Sequence, residues 1–219
     1  MTLPRKAHAV VFDMDGLIVD NEPLYRDAAI AVARDAGHDM PLGLYFTTIG
    51  LPLEAARTLL GEHFGRGFDC DVFWSSVFKR FYEIAPSQLR LKAGVVELLD
   101  VLDELGLPRA IATSSYHEAV RHHLSPYGLL DRFQAIVAHG DCARDKPNPD
   151  PFLKAAELLG VDPALCLALE DSYNGVRAAS TAGMMTIMVP DLLEATAEME
   201  ELCVCIAQDL HQVCTLMKP

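Results

Sequence analysis

The stretch VVFDMDGLIVDNEPLY, residues 10–25, places Asp13, Asp15 and Asp20 directly behind an apolar run. The run itself, HAVVFD at 8–13, is short, rich in β-branched residues and ends at a charged turn, the pattern of a strand buried in a parallel sheet. If the strand ends at Asp13, the turn that follows can swing Asp15 back over the same spot. Carboxylates gathered at the end of a buried strand need something positive beside them. The candidates are a metal ion, a lysine, or an electrophile under attack by a carboxylate.

Further along the chain, similar apolar runs recur at RAIATSS (109–115), AIVAH (135–139), CLALED (166–171), MTIMVP (185–190) and LCVCIA (202–207). Helical patterns separate them at GVVELLDVLDELG (94–106), HEAVRHHLSPYG (117–128), DPFLKAAELLG (150–160) and NGVRAASTAGM (174–184), several of them stopped by glycine. Strands alternating with helices predict an α/β fold built on a doubly wound, Rossmann-like parallel sheet. Residues 19–88 break the rhythm, because EPLYRDAAIAVARDAG, LPLEAARTLLGEHFG and DVFWSSVFKRFYEIA are helical with no strand between them. The expectation is an α-helical cap domain at 19–88 inserted into a catalytic core of 1–18 and 89–219.

Ligands of such sheets gather at the carboxyl ends of the strands. The polar residues there are Asp13 and Asp15 after the first strand, Thr113, Ser114 and Ser115 after the second, and Glu170 and Asp171 after the fourth. Lys146 joins them from the loop GDCARDKPNPDPF, just before a helix whose start is marked by prolines.

The bulk composition narrows the function. The chain has 219 residues, 51% hydrophobic and 22% charged, enough for a sizeable core. A formal net charge of −13 argues against nucleic acid or an anionic membrane as partner. An anionic substrate would therefore need a local cation. No stretch approaches the roughly 20 apolar residues of a membrane span, and MTLPRKAHAV lacks the apolar segment of a signal peptide, so a cytoplasmic location is expected. The six cysteines show no paired zinc spacing and are expected to be small buried hydrophobes. The adjacent His122 and His123, on a predicted helix, are expected at the surface.

Taken in order, four segments resemble the haloacid dehalogenase superfamily of phosphatases and phosphomutases, in the branch with a helical cap after the first strand. They are D-x-D-G-x-x-x-D at Asp13–Asp20, the strand-end Thr113, the pair Lys146-Pro147, and E-D-S-x-x-G at Glu170–Gly175. The resemblance implies that Asp13 is a nucleophile forming an aspartyl phosphate. It implies that Asp15 is the general acid and then the general base. Gly16 lets the chain leave the strand in a turn that a Cβ would hinder. Mg²⁺ would be held by Asp13, the Asp15 carbonyl and Asp171, with Glu170 adding a ligand or orienting one. Lys146 would offset the charge of the phosphate, and Thr113 and Ser114 would bind a phosphoryl oxygen. Ser115 and Tyr116 read as a helix cap and a surface aromatic, and Asp20 reads as the cap of the first helix of the insertion.

Within that family, dehalogenases lack an acid/base at the position of Asp15, so phosphoryl transfer is expected. β-Phosphoglucomutases carry a histidine where this chain has Tyr25 and an arginine where it has Leu53, which disfavours a mutase, although Arg57 could partly substitute. The implied substrate is a small phosphorylated metabolite, a sugar or polyol phosphate, selected by cap residues that include Tyr25, Ile49, Gly50, Leu53, Arg57, Trp74 and Lys79. A non-catalytic binding module on the same fold is the reading from another functional class; the intact Asp13, Asp15, Lys146 and Asp171 speak against it. Oligomeric state is not legible.

Overall fold

In the computed structural model, which describes residues 3–49, 53–65 and 67–217, the first apolar run forms β1 (Ala9–Phe12), and all four of its residues are buried. Four helices follow: α1 (Glu22–Asp35), α2 (Leu42–Thr48), α3 (Leu53–Phe64) and α4 (Cys70–Gln88). The alternating part of the chain then runs α5 (Val95–Glu104), β2 (Arg109–Ala112), α6 (His117–Leu124), β3 (Ala135–Val137), α7 (Asp150–Leu159) and β4 (Cys166–Glu170). It closes with α8 (Tyr173–Thr181), β5 (Met185–Met188), α9 (Ala197–Leu202), β6 (Cys205–Ile206) and α10 (Leu210–Met217).

The strands form one six-stranded sheet in the order β3-β2-β1-β4-β5-β6, every pairing parallel. The order reverses between β1 and β4, and a doubly wound sheet opens its ligand crevice at the carboxyl ends of strands beside that reversal. Alternation along the strands sorts the core into layers. Ala9 and Val11 of β1, Ala110 and Ala112 of β2, and Cys166 and Ala168 of β4 pack with Phe152, Ala155 and Ala156 of α7 and Ala178 and Ala179 of α8. The small side chains on that face let the two helices come close to the sheet.

The chain separates into two compact units, one running to Val19 and resuming at Leu91, the other Asp20–Arg90. Within the second, α1 buries Ala28, Ala29, Ala31 and Ala33 while α4 buries Phe73, Val77, Phe81 and Ala85. Asp69 caps α4, its carboxylate accepting from the amides of Asp71 and Val72, both at 3.0 Å.

Several local expectations need correction. LCVCIA is not one strand: Leu202 closes α9, whose start is capped by the Thr196 hydroxyl, and only Cys205–Ile206 pairs with β5. α1 begins at Glu22, so its cap position is Asn21 and not Asp20. Cys70, Cys142 and Cys203 are half-buried, whereas Cys166, Cys205 and Cys214 are fully inside. No helix among the described residues is long and apolar enough to cross a membrane.

Candidate active site

The site begins with sheet register. Phe12 of β1 stands beside Leu169 of β4, so the next residues, Asp13 and Glu170, fall side by side at the carboxyl end. Alternation directs Asp13 to the face of Ala9 and Val11, and Glu170 to the face of Cys166 and Ala168, which is the α7/α8 side. Lys146 comes from the loop that leads into α7. Its Nζ donates to Asp13 Oδ1 at 2.6 Å and to Glu170 Oε1 at 2.5 Å, and it rides 5.0 Å above the centre of the Phe152 ring. All three side chains are buried, Glu170 completely.

Burial works against the Lys146 ammonium, but Asp13 and Glu170 outweigh it and hold the group charged above its ordinary value. For Asp13 burial wins: its carboxyl is pushed well above the usual range, with Lys146 pulling it down and Glu170 and Asp15 pushing further up. A single ammonium does not balance the carboxylates that face it.

Glu170 is anchored from both ends. Its Oε2 accepts from the amides of Asp171 at 3.1 Å and Ser172 at 3.2 Å and from the Ser172 hydroxyl at 3.0 Å. Ser172 in turn caps α8 by accepting from the Gly175 amide at 3.1 Å. Gly175 supplies the space, because a Cβ there would fall 1.8 Å from Glu170 Oε1. The spacing E-D-S-x-x-G thus describes a carboxylate seated in a helix N-terminus against bare backbone.

Asp15 lies on the side of β2. Its Oδ2 accepts from the Thr113 hydroxyl at 3.1 Å and the Ser115 hydroxyl at 2.8 Å, and Thr113 Oγ1 accepts from the Ser115 amide at 3.0 Å. Ser115 is therefore a partner of Asp15 rather than the cap of α6, whose cap position is Tyr116. Tyr116 and Ser114 are exposed. His123 corrects the surface expectation for the histidine pair: it is fully buried, with Nδ1 3.8 Å from Asp15 Oδ1. No motif marks His123, and its only sequence signal is one turn's spacing from Val120 and Ala119 on the apolar face of α6.

Gly16 has φ +79°, the left-handed region, and a Cβ on it would meet Asp171 Oδ2 at 2.3 Å. Only glycine lets the turn after β1 pass beneath the Asp171 carboxylate. Asp13, Glu170 and Asp171 each offer an oxygen within 4.8 Å of the others, and all three are buried. An all-oxygen, anionic, buried set with excess negative charge fits a hard divalent cation.

Two further residues are expected to contact substrate from the insertion. Tyr25 belongs to the second unit, where its ring stacks on Phe81 with centroids 3.8 Å apart. Gly50 lies outside the described residues.

Fold and site together are those of an α/β protein with acidic side chains and one lysine gathered at the carboxyl end of a parallel sheet. A family profile for haloacid dehalogenase-like hydrolases matches residues 7–183. Hexitol phosphatase B of Escherichia coli strain K12 is 33% identical over 192 residues, spanning 87% of this chain and 86% of its own length. The phosphorylated carbohydrates phosphatase of Thermotoga maritima is 30% identical over 179 residues, 82% of this chain and 83% of that protein. The crystal structure of CbbY from Rhodobacter sphaeroides in complex with phosphate has the same fold, with a TM-score of 0.78 at 24% identity over 94% of this chain and 96% of that one. The chain belongs to the haloacid dehalogenase-like hydrolases, and within them it is a phosphatase.

Proposed function

We propose that the protein hydrolyses a small phosphorylated sugar or polyol with Mg²⁺ as cofactor, through an aspartyl phosphate on Asp13. The observation that carries this reading is Lys146 bridging Asp13 and Glu170 beside Asp171 at the carboxyl end of β1 and β4. Two relatives, a hexitol phosphatase and a phosphorylated carbohydrates phosphatase, support the substrate class.

In the first half-reaction an Asp13 carboxylate oxygen bonds to phosphorus. The bond from phosphorus to the leaving oxygen breaks, and Asp15 delivers its proton to that oxygen. In the second, Asp15 takes a proton from a water molecule as its oxygen bonds to phosphorus. The bond to Asp13 then breaks, releasing inorganic phosphate and restoring both side chains. Lys146 keeps positive charge against Asp13 throughout, and Glu170 holds Lys146 in place. The Thr113 hydroxyl and Ser114 bind a phosphoryl oxygen, and Gly16 leaves room beneath Asp171. Asp13, the Asp15 carbonyl and Asp171, with Glu170 beside them, would hold Mg²⁺, which would supply charge to offset anion meeting anion. Tyr25 and Gly50 contribute to substrate selection from the cap.

A mutase would need a cap cation to grip a second phosphate. Arg57 is ion-paired with Asp71 inside the cap. The test is phosphate release from a panel of sugar and polyol phosphates, with and without Mg²⁺. β-Glucose 1-phosphate, if turned over, should yield glucose and inorganic phosphate. Faster formation of glucose 6-phosphate in protein primed with bisphosphate would assign a mutase instead.

A further inference from the structure

Asp191 stands in the loop after β5, at the same edge of the sheet as Glu170 and Asp171. Its Oδ1 accepts from Lys92 Nζ at 2.6 Å, and its side chain is only 8% exposed. Its other oxygen, Oδ2, is buried and has no hydrogen-bond partner among the described residues. A buried carboxylate oxygen is costly to leave unpaired. The direction in which it faces is recorded by Gly16: a Cβ there would meet Asp171 Oδ2 at 2.3 Å and Asp191 Oδ2 at 3.2 Å. Both carboxylate oxygens therefore lean over the same glycine.

A role as counter-ion to Lys92 accounts for Oδ1 and leaves Oδ2 without a purpose. Direct ligation is not indicated either, because the oxygens gathered within 4.8 Å of one another come from Asp13, Glu170 and Asp171. A hard divalent cation keeps several of its waters, and each such water is a strong donor in search of an acceptor. We propose that Asp191 is a positioning residue of the cation site, its Oδ2 accepting a hydrogen bond from a cation-bound water while Lys92 holds the carboxylate in place. The proposal rests on reading the acidic cluster as a divalent-cation site.

Mn²⁺ titrations of the intact protein, followed by calorimetry and by the electron paramagnetic resonance of free Mn²⁺, test both levels. Asp191→Asn and Asp191→Ala should weaken Mn²⁺ binding about 10- to 100-fold, the loss typical of an outer-shell partner. Lys92→Met should weaken it less. Thermal melts separate this role from a merely structural one. In excess chelator Asp191→Asn should melt below the wild-type temperature, because the ion pair with Lys92 is lost, and it should also gain less than wild type when Mn²⁺ is added. Wild-type affinity in both Asp191 variants, or an equal loss of melting temperature with and without Mn²⁺, would overturn the proposal and leave the cation site standing. Absence of Mn²⁺ binding in the wild type, or wild-type affinity in Asp171→Asn, would remove the cation site itself and this inference with it.

Discussion

His123 Nδ1 lies 3.8 Å from Asp15 Oδ1, and the imidazole is fully buried. The separation is too long for a hydrogen bond but short enough for one group to feel the other's charge. Burial holds the imidazole below its ordinary value of 6.5; Asp15 pulls it partly back, and His122 adds to the lowering. The unfolded chain therefore binds a proton just below that value that the folded chain refuses. By linkage, stability rises with pH across that window and is lost as pH falls through it. His123→Leu should flatten the decline seen in urea unfolding as pH falls below the ordinary imidazole value, where one such site contributes at most about 1.4 kcal/mol per pH unit. Parallel curves for the two proteins would show that His123 is not the group responsible.

Asp13→Asn retains volume and leaves Lys146 its contact with Glu170, so the fold should survive while turnover disappears. Circular dichroism and a phosphate-release assay check the two halves. An undiminished rate in a folded variant would refute the covalent route.

Asp15→Asn removes the proton carrier, a loss of about 10²- to 10⁴-fold. An aryl phosphate, whose leaving group needs little protonation, should still phosphorylate Asp13, whereas attack by water should stall. Rapid-quench labelling should find a phosphoenzyme that outlasts the wild-type one. A lifetime no longer than wild type would mean that Asp15 has another role.

Gly175→Ala would place a Cβ 1.8 Å from Glu170 Oε1, forcing the carboxylate off Lys146. Disrupting a buried ion pair costs about 3–5 kcal/mol, so the urea midpoint and the activity should fall together. Gly43→Ala, in α2 with open space around it, serves as the control and should be neutral or stabilising by up to about 1 kcal/mol. Equal midpoints for the two variants would show that Glu170 has room to move.

Much of this molecule is written in local pattern. The apolar runs, their alternation with helices and the long helical interruption after β1 predict the sheet and the insertion, because strand and helix periods are properties of contiguous residues. Asp13 and Glu170 are legible for the same reason, each sitting where a strand ends, and Lys146 is legible from the proline-marked loop that leads into α7. Gly16 and Gly175 are legible as motif letters, although the reason for each, a carboxylate pressed against its Cα, is visible only in three dimensions.

Local pattern does not say which distant element packs on a given polar group. Ser115 meets Asp15 across 100 positions, and Lys92 meets Asp191 across 99. His123, one of two neighbouring histidines, is turned inward because α6 presents that face to the core together with Ala119, Val120 and Leu124. Sequence alone determined most of the elements up to β5, their order and the residue types at strand ends. Packing between segments far apart in the chain decided which of those residues share one buried volume. Inside that volume low solvation makes charge and hydrogen-bond partners, not residue type, set what each group can do.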